Sequence, residues 1–228
     1  MIKAVPRAVR RYSEQEMEKD LSGYQRTALE LGASSAIVIE TGELTVQERI
    51  RSKCSIPKCA EYNTNLHCPP YSPSAQEIRK ILIDYQYALA IRTDIDPEIT
   101  AGGNVQRCYL RKEFDQEGRY RDLGKRYKKI SFIVSEIESK AFYDGHYLAM
   151  GFAAGSCKNV FCFGKDCQGL EPGKGCRNPL RARPSMEAVG FDVFGLAAAL
   201  GWEMYPIGGK SEPENVPRAS LVGLVLIA

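Results

Sequence analysis

Apolar residues recur every third or fourth position at Met17, Leu21, Tyr24, Ala28 and Leu31, and Ser13 with Glu16 stands just before them. That spacing predicts an amphipathic helix opened by a capping box and ended at Gly32. "SAIVIE" (Ser35–Glu40) then changes to a short β-branched run and reads as a strand. Ser72 and Pro73 read as an N-cap and N1 pair for a helix through about Asp84, with Ile78, Ile81 and Leu82 inward. "YALAIRT" (Tyr87–Thr93) reads as a second strand and "DIDPEITAGGN" as a loop. Leu123, Tyr127, Ile130, Val134, Ile137 and Ala141 form one stripe, which predicts a long helix from about Tyr120 to Phe142. "HYLAMGFAAG" reads as a small-residue strand, Ser185 to about Leu200 as helix broken at Gly190 or Gly195, "PIGGKSEPENVPRA" as a loop, and the apolar end of the chain as a last strand.

The cysteines fall between these elements. Cys54-x4-Cys59-x8-Cys68-Pro-Pro is repeated as Cys162-x4-Cys167-x8-Cys176-Arg-Asn-Pro, and each copy runs into a Ser/Pro-rich helix start, "YSPSAQEI" or "RARPSMEA". Two matched spacings in the same structural context point to a duplication. The fold class is therefore α/β: duplicated strand–Cys loop–helix–strand units, about 33–95 and 145–228, joined by a helical linker over 105–144 within a single domain, 1–228. A ferredoxin-like α/β sandwich, with helices on one face of a four-stranded sheet, is the expected architecture. It would place both cysteine loops near one end of the sheet. An open αβα sheet is the alternative.

Composition narrows the chemistry. Apolar content is 44% and the formal net charge +3, so a core forms without disulfide staples and nothing in the charge calls for nucleic acid. The basic N-terminus lacks the apolar segment of a signal peptide, and the longest apolar runs, Tyr147–Ala154 and Leu221–Ala228, are too short for a bilayer. The expectation is a cytoplasmic protein, where dense cysteines point to metal in preference to disulfides.

Cys157, Cys162, Cys167 and Cys176 supply four thiolates; Cys54, Cys59 and Cys68 supply three, which Cys108 would complete. Four plus four suits two [4Fe-4S] clusters. Cys157 lies outside the repeated frame, and Cys157 and Cys108 are interchangeable in this assignment. Zinc is the competitor, although its sites favour paired cysteine arms and these ligands are more evenly spaced. His67, next to Cys68, could replace Cys108 as ligand, donate to a cluster sulfur, or be an ordinary loop residue; His146 carries no catalytic role.

Tyr62, Tyr71, Phe161 and Phe163 interleave with the cysteines as candidate shields, and Gly155, Gly164, Gly169, Gly173 and Gly175 let the second loop turn. Lys174, Arg177, Arg181 and Arg183 surround the last cysteine. They would offset the negative charge of a thiolate-ligated cluster or bind an anionic small molecule. Glu187 opens the following helix, where a carboxylate is stabilised in any case. Lys125, Arg126, Lys128 and Lys129, off the long helix's stripe, read as a solvated face or as a docking surface for an acidic redox partner.

"CPPYSPS" together with "GSC…C…C…CRNP…RPSMEAVGFDV" resembles the DUF2284 family, uncharacterised predicted metal-binding proteins of anaerobic bacteria and archaea. The resemblance spans nearly the whole chain. It implies metal binding through Cys54, Cys59, Cys68, Cys157, Cys162, Cys167 and Cys176, and implies no particular reaction. Three functions follow: an electron carrier with two [4Fe-4S] clusters serving a redox partner protein, an enzyme with an open-coordination iron or an added flavin or corrinoid, and a zinc-stabilised binding or regulatory module.

Overall fold

The computed structural model describes residues 12–102, 119–162 and 165–228. Among them the helices are α1 (Glu14–Glu30), α2 (Glu48–Ser52), α3 (Ala75–Leu82), α4 (Pro97–Thr100), α5 (Arg119–Asp144), α6 (Cys157–Phe161) and α7 (Val193–Ala199). The strands are β1 (Ser35–Glu40), β2 (Tyr87–Ile95), β3 (Met150–Phe152) and β4 (Ala219–Ile227).

The strands form one sheet in the order β1-β2-β4-β3, with every neighbouring pair antiparallel. The two longest strands are central and buried on both faces. Leu89, Ile91, Val225 and Ile227 face α1 and α5; Ala88, Ala90, Leu224 and Leu226 face α3, α7 and the segment around Met186 and Phe191. Buried-on-both-faces strands read as continuous apolar runs, which is how β4 appears in sequence. The ferredoxin-like expectation therefore fails on two counts. Helices cover both faces, and β1 with β2 and β3 with β4 pair directly as antiparallel neighbours, where a βαβ half would hold its two strands parallel. The layers are those of the αβα alternative, built on an antiparallel sheet.

The long helix is placed as its stripe predicts. Ile130, Ile133, Val134, Ile137 and Ala141 are fully buried, worth roughly 1.5–3 kcal/mol for each large side chain. Glycines let α5 lie close: a Cβ at Gly223 would stand 2.6 Å from Val134 Cγ2, and one at Gly151 2.7 Å from Val134 Cγ1. Lys125, Arg126 and Lys128 are exposed on the opposite side.

Several boundaries move. Ser13 and Glu16 do form the capping box of α1. The cap of α3 is Ser74, not Ser72, because Ser74 and Glu77 complete a reciprocal box. Ser72 is buried instead, its hydroxyl donating to the Ala188 carbonyl at 2.9 Å. The "DIDPEIT" loop contains α4, capped by Asp96. The strand expected across His146–Gly155 shortens to β3, because its chain turns away after Phe152 and Ala153 pairs with Ser185. The helix expected from Ser185 breaks at Gly190 (φ 100°) and resumes as α7, capped by Asp192 through the Gly195 N–H.

Candidate metal centre

Because β1 and β3 point in opposite directions, the chain leaves them at opposite ends of the sheet. The first cysteine segment reaches the second by crossing the sheet face. Leu44 and Val46 pack on that face, Val46 pairs with Phe191, the Gln47 N–H donates to the Gly190 carbonyl (2.8 Å), and the Asp192 N–H donates to the Thr45 carbonyl (2.9 Å). The second segment continues directly from edge strand β3. At Gly155 (φ 68°) a Cβ would stand 2.6 Å from the Tyr127 ring of α5. Only glycine fits both the backbone and the approach there.

The two segments meet beyond the end of β3. The His67 Nδ1 lies 3.2 Å from the Cys157 Sγ, although the residues are 90 positions apart. The Cys68 thiol points to the Ser156 Oγ at 3.8 Å. Buried Asn65 donates to the Ser156 Oγ (3.3 Å), and Ser156 donates to the buried carboxylate of Glu61 (3.4 Å). Leu66 packs where a side chain at Gly169 would sit, its Cδ1 only 2.3 Å from an added Cβ.

All seven described cysteines are free thiols. They fall into two adjoining sets. Burial, then the neighbouring Cys59 and Cys68, push the Cys54 thiol up to about 11. Burial raises Cys68, partly offset by hydrogen bonds with Asn65 and Ser156. Burial, with Cys68, Cys176, Cys167 and Cys162 nearby, raises Cys157 further. Such thiols are poor nucleophiles at neutral pH and must release protons to ligate. The sulfurs are nonetheless met by donors. The Glu61 N–H points to the Cys59 Sγ (3.5 Å), the Asn178 N–H to the Cys176 Sγ (3.3 Å), and the Asn178 Nδ2 to the Cys162 Sγ (3.5 Å). Donors aimed at sulfur stabilise it as a thiolate ligand. The donor set therefore fits a metal. Among the described residues no three His, Cys, Asp or Glu side chains already converge on one ion position.

Cys108, Phe163 and Gly164 lie outside the described residues. His67 stands with its Nδ1 against the Cys157 sulfur of the second set. Tyr62 and Phe161 are half-buried, whereas Tyr71 is 50% exposed and shields little. Arg181 pairs with Glu136 and Arg183 with Glu138, the latter at 2.6 Å; both carboxylates belong to α5. Arg177 donates to the Asp166 carbonyl, and Lys174 pairs with Glu171. These charges dock and brace the second segment. Desolvation raises the Glu187 carboxyl although the residue keeps exposed surface; its charge adds to the raising of Cys54 and, after burial, of Tyr127 to about 12. His146 is buried away from the cysteines, between Asp20 (3.3 Å) and the Ala228 carbonyl (2.7 Å).

Sequence reasoning missed Asn65, Glu61, Ser156 and Asn178. Glu61 and Asn178 each stand two residues after a cysteine of the repeated frame, a position whose N–H can turn back to sulfur, and that was the available signal.

Among the described residues no helix is long and apolar enough to cross a membrane. No curated protein and no solved structure matches the chain significantly. A family model described as a predicted metal-binding protein matches residues 37–227, from within β1 to the end of β4 and through both cysteine segments. The chain belongs to the DUF2284 family of predicted metal-binding proteins.

Proposed function

We propose that this metal-binding protein holds two [4Fe-4S] clusters and passes electrons to a partner protein. The observation that carries the reading is the meeting of two free-thiol sets from distant segments in one partly buried place. Cys157, Cys162, Cys167 and Cys176 ligate one cluster. Cys54, Cys59 and Cys68 ligate the other, with Cys108 as fourth ligand. When bound, such clusters supply one-electron redox chemistry whose potential depends on hydrogen bonds to sulfur and on solvent access. The residues of the chain hold the sulfurs and donate to them. Adjacent sets suit electron passage between them, and the exposed basic face of α5 suits an acidic partner.

A second reading is an enzyme in which the first site keeps an open iron that acts in redox or Lewis-acid chemistry. What favours it is the count of three cysteines in the first set together with the turning of His67 towards the second. Glu187 then stands near both Cys54 and Tyr127.

Anaerobic metal and sulfide analysis, with EPR before and after reduction, tests both. About eight irons and matching sulfide per chain, unchanged in Cys108→Ala, supports the open-iron enzyme. Loss of iron in Cys108→Ala supports the carrier. Stoichiometric zinc without sulfide rejects both in favour of a zinc-stabilised module.

A further inference from the structure

At the junction of the two segments the dipeptides His67-Cys68 and Ser156-Cys157 face one another. The neighbour of each cysteine meets the sulfur of the other: His67 Nδ1 to Cys157 Sγ at 3.2 Å, and the Cys68 thiol to Ser156 Oγ at 3.8 Å. The imidazole is held in this orientation from behind. The His67 N–H donates to the Asn65 Oδ1 at 3.1 Å, and Asn65 is itself fully buried and tied to Ser156. As a thiol, Cys157 directs its proton to the Asn65 Oδ1 at 3.7 Å.

Ligation removes that proton. A metal-bound thiolate is an acceptor only, so the group 3.2 Å away must present a hydrogen. For a neutral imidazole this fixes the tautomer with hydrogen on Nδ1 and leaves Nε2 bare. A hydrogen bond to an ionised sulfur is shorter and stronger than a neutral one, and it stabilises the reduced, more negative state of the site.

We infer that His67, although carried by the first cysteine segment, serves the second site as a positioning residue that donates through Nδ1–H to the Cys157 thiolate. The inference rests on the reading that Cys157 ligates metal. It links the two sites physically, because a movement of the first segment carries the donor of the second with it.

His67→Ala removes the donor; His67→Asn returns an amide N–H from the same branch position but is a poor metal ligand. In anaerobically loaded protein, EPR-monitored redox titration should show one of the two midpoint potentials lowered in His67→Ala. The expected change is about tenfold in the reduction equilibrium, about 59 mV for a one-electron couple. The other midpoint should stay, and His67→Asn should recover most of the shift. Iron lost in His67→Ala and regained in His67→Asn also supports a donor role. Unmoved potentials in His67→Ala, or an Asn variant that behaves as the Ala variant does, overturns it. If the protein proves to hold zinc without sulfide, the cluster reading fails separately. The same variants are then compared with cobalt(II) in the site. A thiolate-to-cobalt band that moves in His67→Ala and returns in His67→Asn supports the inference, and identical bands overturn it. A chain that takes up neither metal overturns both.

Discussion

The first and second cysteine segments carry the same Cys-x4-Cys-x8-Cys frame and are supported by different means. The first lies over the sheet face and is pinned by backbone groups. Arg51 donates to the carbonyls of Pro70, Ser72 and Pro73, and Ser72 donates across to Ala188. The second hangs from edge strand β3 and is fastened to α5 by Arg181–Glu136 and Arg183–Glu138. Where support does recur, it is local. Ser74 accepts the N–H of Glu77 and Ser185 accepts that of Ala188, each serine following a proline. Ligand spacing and turn chemistry recur because each loop must wrap a similar core. The struts differ because each segment reaches the meeting place from a different side of the sheet.

That comparison is tested most severely at the cysteines. Cys59→Ala should abolish loading of the first site alone and Cys162→Ala of the second alone, each removing about half the iron measured per chain. If either removes all of it, the two sets form one site and the comparison breaks. Next in size, Gly155→Ala forces an alanine into positive φ against the Tyr127 ring, and should cost roughly 2–4 kcal/mol in urea unfolding. Arg183→Met and Glu138→Gln should couple by roughly 1–2 kcal/mol in a double-mutant cycle, because both side chains are largely buried. Arg51→Ala should cost about 1–2 kcal/mol and loosen only the first segment, seen as faster amide exchange around Ser72.

The metal-free chain should also respond to alkali. Its Cys54 is held near 11 against an ordinary 9.0, so the unfolded chain ionises first. The stabilising contribution is complete below about pH 9 and is lost as pH rises through about 11, read as a falling urea midpoint. Metal loading should remove this dependence, since the ligated thiolates no longer titrate. The smallest effect is expected at Gly175→Ala, where an added Cβ meets nothing within 4 Å; less than about 0.5 kcal/mol should separate it from the parent.

Much of the local structure was legible along the chain. The stripe from Leu123 to Ala141, the cap at Ser13 and the β-branched run at Ser35–Glu40 are written in neighbouring residues, and the molecule follows them. The error at Ser72 was also local: Ser74 with Glu77 offered the complete capping box. The sheet order was not legible. Four apolar runs separated by helices are compatible with several pairings, and nothing within β1 or β3 records that they lie at opposite edges.

The same division holds at the centre. Residue type and spacing determined that this protein carries two repeated thiol sets, because cysteine chemistry and loop length are properties of short stretches. Tertiary structure alone decided that the two sets adjoin, that His67 faces Cys157, and that Arg181 and Arg183 brace α5. Those outcomes depend on the path of residues 44–47 across the sheet face, and a path between distant segments is settled by the packing of the whole core.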